Sequence, residues 1–223
     1  MTFLKEILKK PTLIIFFSSI LVFFNSWPAF ILMRKGWFLQ DSTAFSIAIA
    51  LSAFFIMFVI PAVIIKFVLK KPLSDFGLLI PKNLLETVKL SAIILVIFLP
   101  VVFFLASKEN FQQFYLIKHN FNWIFFLEIL ASCFYFFSEE FLFRGVLFFG
   151  LWDKLRFHTF WITGLLFALF HIAKPGEEIL FAFFVGLSLS YLSLKTKSFL
   201  PAVVVHIILA SALNIIVLIH SIT

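Results

Sequence analysis

The chain has 223 residues, 63% of them hydrophobic, with thirty-six phenylalanines and a mean hydropathy of +1.13. Soluble domains use roughly 45–50% apolar residues, so this composition excludes an aqueous globule. It predicts an all-α, polytopic membrane helix bundle of about seven to eight transmembrane helices, as one membrane-embedded domain over residues 1–223. The formal charge of +7 is read as loop lysine under the positive-inside rule, not as a nucleic-acid surface. The single cysteine, Cys133, leaves no disulfide framework and no cysteine metal site.

An apolar run of about 20 residues crosses the hydrocarbon as a helix. In chain order the predicted spans are 12–33, 43–65, 87–107, 122–151, 158–173, 179–194 and 199–219, the fifth and sixth being short. The first begins too deep and runs too long for a cleaved signal peptide. The amphipathic stretch 66–86 is expected on the membrane surface. Of the eighteen Lys and Arg, twelve fall in loops on the N-terminal side, five on the other, and Arg144 lies within a span. That bias predicts a cytoplasmic N-terminus. A Phe- and Lys-rich chain without a targeting peptide fits a bacterial inner (plasma) membrane.

The fourth span contains FFSEEFLFRG, Phe136 to Gly145. It is bracketed by Trp123 and Trp152, as interfacial belts require, so Glu139, Glu140 and Arg144 sit well inside the bilayer. An ionised side chain at mid-membrane costs ~2.5–3.5 kcal/mol and by default marks function. Glu140 and Arg144 are one helical turn apart and can pair, either as a structural ion pair or in a chemical role. Glu139 lies about 100° around the helix. It needs a hydrogen-bond partner or a task.

Two histidines in other spans are candidate partners, although each alone is more simply a core histidine. Counted from the inner end of each span, Glu139 lies roughly 18 Å deep, His171 about 20 Å and His206 about 10 Å. One carboxylate and two imidazoles on three helices can hold a water and take its proton. Glu139, His171 and His206 are also the ligand types that suit zinc. Either arrangement suits hydrolysis of a peptide bond at membrane depth. His119, His158 and His220 are expected at the interface. Pro175, Glu177 and Glu178 form an acidic turn, either solvated or gating.

These residues resemble a known family. Glu139-Glu140-Phe141-Leu142-Phe143-Arg144-Gly145 looks like its E-E-x-x-x-R motif, Phe167-Ala168-Leu169-Phe170-His171 like F-x-x-x-H, and His206 opens the third motif, H-x-x-x-N. Order and spacing agree, within about residues 122–215. The family is CPBP, the CAAX proteases and bacteriocin-processing enzymes, also called Abi. The resemblance implies an intramembrane endopeptidase acting on a membrane-embedded or lipidated peptide or protein. It implies that Glu139 is general base on a water, that His171 holds and activates that water, and that Glu140, Arg144 and His206 position the site or stabilise the oxyanion. Phe167 and Asn214 are supporting candidates. The favoured mechanism is glutamate-type without a metal.

One position departs from the pattern: Ala210 stands where the third motif has asparagine. Asn214 follows His206 by about 12 Å along the helix and is rotated by ~80°, out of register without a kink. Loss of an oxyanion donor costs about 10²–10³ in rate. The alternative reading is therefore an inactive family member that binds a partner, as in bacteriocin immunity. A proton-coupled transporter ranks last, since the sequence has no internal repeat.

Overall fold

A computed structural model describes residues 11–25, 27–36, 43–115 and 123–222. The expectations for His119 and for the N-terminal lysines Lys5, Lys9 and Lys10 lie outside the described residues. Within them the chain is helical and has no strand, as lipid demands of a backbone that must satisfy itself.

The first predicted span is two helices, α1 (Pro11–Phe24) and α2 (Trp27–Arg34). At the division the Asn25 side chain donates to the Val22 carbonyl, a local bond that competes with helix continuation. Helix α3 (Thr43–Val68) is continuous but carries π turns at Phe54–Val59 and Ile64–Val68. Helix α4 (Leu84–Ala106) is capped by Asn83, which accepts from the Glu86 amide. Short α5 (Glu109–Phe114) follows. Helix α6 covers 123–155, with a π-helical Phe141–Phe149 between Trp123–Glu140 and Gly150–Leu155. Three more follow: α7 (His158–Phe170), α8 (Gly176–Thr196) and α9 (Leu200–Ile222).

Among the described residues, four helices are long and apolar enough to cross a membrane: Thr43–Val68, Leu84–Ala106, Gly176–Thr196 and Leu200–His220. Their outer faces expose Phe55, Val96, Phe103, Phe104, Phe184 and Val204, side chains that only lipid accommodates in such number. The chain is an integral membrane protein. Helix α7, of 13 residues, is only about 20 Å long against a ~30 Å hydrocarbon core.

The stretch 66–86 runs from the end of α3 to the start of α4. It holds one 3₁₀ turn, Leu73–Phe76, and then Gly77 at φ 78°. A Cβ at Gly77 would run into the Phe149 ring and stand 3.2 Å from the Phe199 amide nitrogen. Only glycine lets the loop press so far into the end of the bundle. There the Gly77 carbonyl accepts from the Phe199 amide and the Leu79 carbonyl from the Ser198 hydroxyl. Phe76, Leu73 and Leu78, whose pattern suits a lipid-facing stripe, pack on the bundle core instead.

Candidate active site

Helices α7 and α8 cross closely at Gly164 and Gly186. A Cβ at Gly186 would lie 3.4 Å from the Gly164 Cα and 3.1 Å from the Phe167 ring, a small-residue contact that brings two backbones together. This crossing exposes the Gly186 carbonyl to α6. Arg144 donates to it at 3.3 Å and to Glu140 Oε1 at 3.1 Å, and both charged side chains are fully buried. The guanidinium lies 4.2 Å over the Phe167 ring. The expected pair is therefore present, with a carbonyl and an aromatic face added to it.

Glu140 Oε1 has a second partner, His206 Nδ1, at 2.8 Å. Depth alone groups His206 with Glu139 and His171, yet its ring nitrogen is committed to Glu140. His171 Nδ1 is 2.8 Å from the Phe167 carbonyl. A carbonyl only accepts, so Nδ1 carries the proton and Nε2 keeps its lone pair. Phe167 is the spacer of this group, its ring centroid 4.9 Å from that of His171 and 5.8 Å from that of His206. Phe136 packs on His206 from the other side at 4.3 Å.

Glu139 is 1% exposed, and its Oε1 has no hydrogen-bond partner among the described residues. The Glu140 Oε2 and Arg144 Nε atoms are likewise unpartnered. Buried polar atoms of native proteins are nearly always satisfied, so three in one cluster mark the place as polar and unfinished.

A cavity of about 100 Å³ lies beside the cluster, lined by His171, His206, Phe136, Phe167, Ala210 and Asn214 among others. Glu139 itself does not line it. The space holds a few waters but falls short of the ~300 Å³ of an ordinary ligand pocket. Asn214 reaches the cavity despite its rotation from His206, because the cavity extends a turn further along α9 past Ala210.

The outer wall comes from residues outside the three motifs. Tyr115, Lys174 and Glu178 line the same cavity. The Tyr115 hydroxyl donates to Glu178 at 2.6 Å, and Lys174 pairs with Glu178 at 2.8 Å. Burial, and then the Glu178 carboxylate, hold the Tyr115 phenol well above its usual range, so it stays a donor. The acidic turn thus divides in two. Glu178 is buried, whereas Glu177 is exposed and held by Lys108 at 2.8 Å and Asn110 at 3.1 Å. Together these contacts strap α5 over the cavity. Lys174, three residues beyond His171 in a polar turn, carries a sequence signal for this wall; Tyr115 carries none. His158 is exposed at the start of α7 and His220 sits beside Phe103, and neither lines the cavity.

Among the described residues no three His, Cys, Asp or Glu side chains are gathered as a metal-ligand set. Each histidine commits its Nδ1 to a neighbour in the cluster, which leaves Nε2 to face a water or a metal.

Residues 120–212 match the family described as type II CAAX prenyl endopeptidase, Rce1-like. The matched segment contains the first two motifs and His206, which opens the third, and the family is the one that those motifs resemble. No curated protein and no solved structure matches the chain.

Proposed function

With residues 120–212 matching a family of CAAX prenyl endopeptidases, we propose that the chain is an intramembrane endopeptidase hydrolysing a peptide bond of a membrane-embedded or lipidated substrate with a Glu139-activated water. One observation carries the reading: the Glu139 Oε1 atom is buried and without a partner among the described residues, one helical turn from Phe136, which lines a cavity of about 100 Å³ together with His171 and His206. An orphaned carboxylate oxygen at membrane depth is costly unless it has a task.

In the proposed mechanism, Glu139 accepts one proton of the water and His171 Nε2 accepts a hydrogen bond from the other. The water oxygen attacks the scissile carbonyl carbon. The oxyanion accepts a hydrogen bond from the Asn214 amide, which takes the role that Ala210 cannot fill. Glu139 then passes its proton to the leaving nitrogen, the C–N bond breaks, and an amine and a carboxylic acid result, with Glu139 again a carboxylate. Glu140 and Arg144 are positioning residues: they hold His206 and anchor α6 to the Gly186 carbonyl. No metal takes part.

A peptide does not fit about 100 Å³, so substrate binding must displace the strap of Tyr115, Lys174 and Glu178 or part the helices, and must bring the Glu139 carboxylate to the water. On the same reading the end bearing Lys71, Lys82, Lys154, Lys195 and Lys197 faces the cytoplasm of a bacterial cell. A second reading, a partner-binding protein without catalysis, rests on Ala210.

The test is cleavage of a panel of fluorogenic transmembrane and lipidated peptides by the purified wild type, Glu139→Gln and His171→Ala. The proposal expects both variants to lose about 10²–10⁴ in rate with unchanged melting. Cleavage at wild-type rates by either variant overturns the assignment.

A further inference from the structure

The bundle has a larger cavity at the opposite end from the histidines. It measures about 590 Å³ and opens between the ends of α3 and α6, with α1 as its third wall. That volume lies within the ~300–1,000 Å³ of ordinary ligand sites. Its inner surface is hydrocarbon: Ile14 from α1, Ile65 from α3, Val146 and Phe149 from α6. Two of the walls are π-helical, Ile64–Val68 and Phe141–Phe149, a register that recurs at functional sites.

The mouth is of the opposite character. Lys71, Asp75, Asp153 and Lys154 stand around it, all of them exposed. The two lysines are close enough that, after burial, the charge of Lys71 is what pulls the Lys154 ammonium below its usual range. The two aspartates do not quench them. The rim's one ion pair among the described residues is a loose contact of 3.8 Å from Asp153 to Arg156, both highly exposed. An apolar chamber capped by two cations and two anions, placed where spans end, is complementary to an acyl chain under a zwitterionic headgroup.

We propose that this cavity binds one phospholipid carrying a phosphate and a primary ammonium. The phosphate sits between Lys71 and Lys154 and the ammonium against Asp75 and Asp153. An acyl chain runs down between α1, α3 and α6. Lysines near a membrane surface attract anionic lipid phosphate, and the cavity converts that general attraction into a single site. The occupant ties together three helices whose contact here is otherwise a gap.

The test is native mass spectrometry of the full chain in detergent, titrated with phosphatidylethanolamine or with phosphatidylglycerol, which lacks the ammonium. Wild type is expected to retain one phosphatidylethanolamine in preference to phosphatidylglycerol. Lys71→Gln/Lys154→Gln should weaken it about 30-fold, from two lysine contacts. Asp75→Asn/Asp153→Asn should abolish the preference between the lipids. Gly150→Leu fills the chamber from its wall: a Cβ there meets Ile14 at 3.7 Å and Phe76 at 3.8 Å, ordinary contacts, so the helix tolerates it and the lipid is excluded. The proposal is overturned by equal affinity for both lipids in wild type. It is equally overturned by undiminished binding in the lysine variant or in Gly150→Leu, which would place the lipid on the outer surface or leave the cavity to another part of the chain.

Discussion

Removing the charge of Arg144 should destabilise the bundle through a partner left behind. Arg144 is fully buried and joins Glu140 on its own helix to the Gly186 carbonyl on α8, at 3.1 and 3.3 Å. Arg144→Met keeps the volume over the Phe167 ring but leaves the Glu140 carboxylate with His206 alone. Breaking a buried pair in this way costs about 3–5 kcal/mol, and at ~2–4 °C per kcal/mol for a chain of this size the melting midpoint should fall by about 10 °C. Glu140→Gln should cost a similar amount, since it strands the guanidinium. The double variant Glu140→Gln/Arg144→Met buries no charge and should recover ~2–3 kcal/mol relative to the sum of the singles. The assay is tryptophan-fluorescence melting in one detergent for all four proteins. A single variant melting within ~2 °C of wild type, or a double variant that simply adds the two losses, would refute the reasoning.

Three further outcomes are expected. Asn214→Ala should lower the cleavage rate about 10²–10³-fold, and Ala210→Asn in that background should restore it; an unchanged rate in Asn214→Ala removes the oxyanion assignment. Tyr115→Phe deletes a hydrogen bond to a carboxylate, worth ~1.5–3 kcal/mol, so amide exchange in α5 should quicken about 10–100-fold; unchanged exchange would mean that the strap is held elsewhere. A strong chelator should leave the rate of wild-type cleavage within a factor of about two, since the proposed mechanism needs only general-base chemistry; loss restored by added zinc would replace it with a metal mechanism.

Part of this site is legible in the sequence for a simple reason. Charges in a phenylalanine-rich span are too costly to be incidental, and an i,i+4 spacing specifies a pair, so the amino-acid order alone joins Glu140 to Arg144. A fixed rise per residue assigns Glu139, His171 and His206 an expected depth, but it does not say which way each side chain faces. His206 engages Glu140 from 66 residues away, a pairing that no apolar pattern encodes. Tyr115 and Glu178 lie 63 residues apart, and neither carries a local signal of the other. The packing of the stretch 66–86 is hidden for a different reason. A stripe of Leu73, Phe76 and Leu78 suits a lipid surface and a bundle end equally, and only Gly77, forced by its contacts with Phe149 and Phe199, distinguishes the two. Asn25 breaks a span whose hydropathy is continuous.

The most direct test of the central claim, that Glu139 activates a water, is a single-turnover cleavage in ¹⁸O-enriched water with enzyme in excess over a peptide that the wild type cuts. The account predicts one ¹⁸O in the new C-terminal carboxylate of the product from the first turnover, and a turnover slowed about 10²–10⁴-fold in Glu139→Gln. Product carrying only ¹⁶O in that first turnover would show that an enzyme carboxylate attacks directly, and labelled product from Glu139→Gln at the wild-type rate would show that another group activates the water.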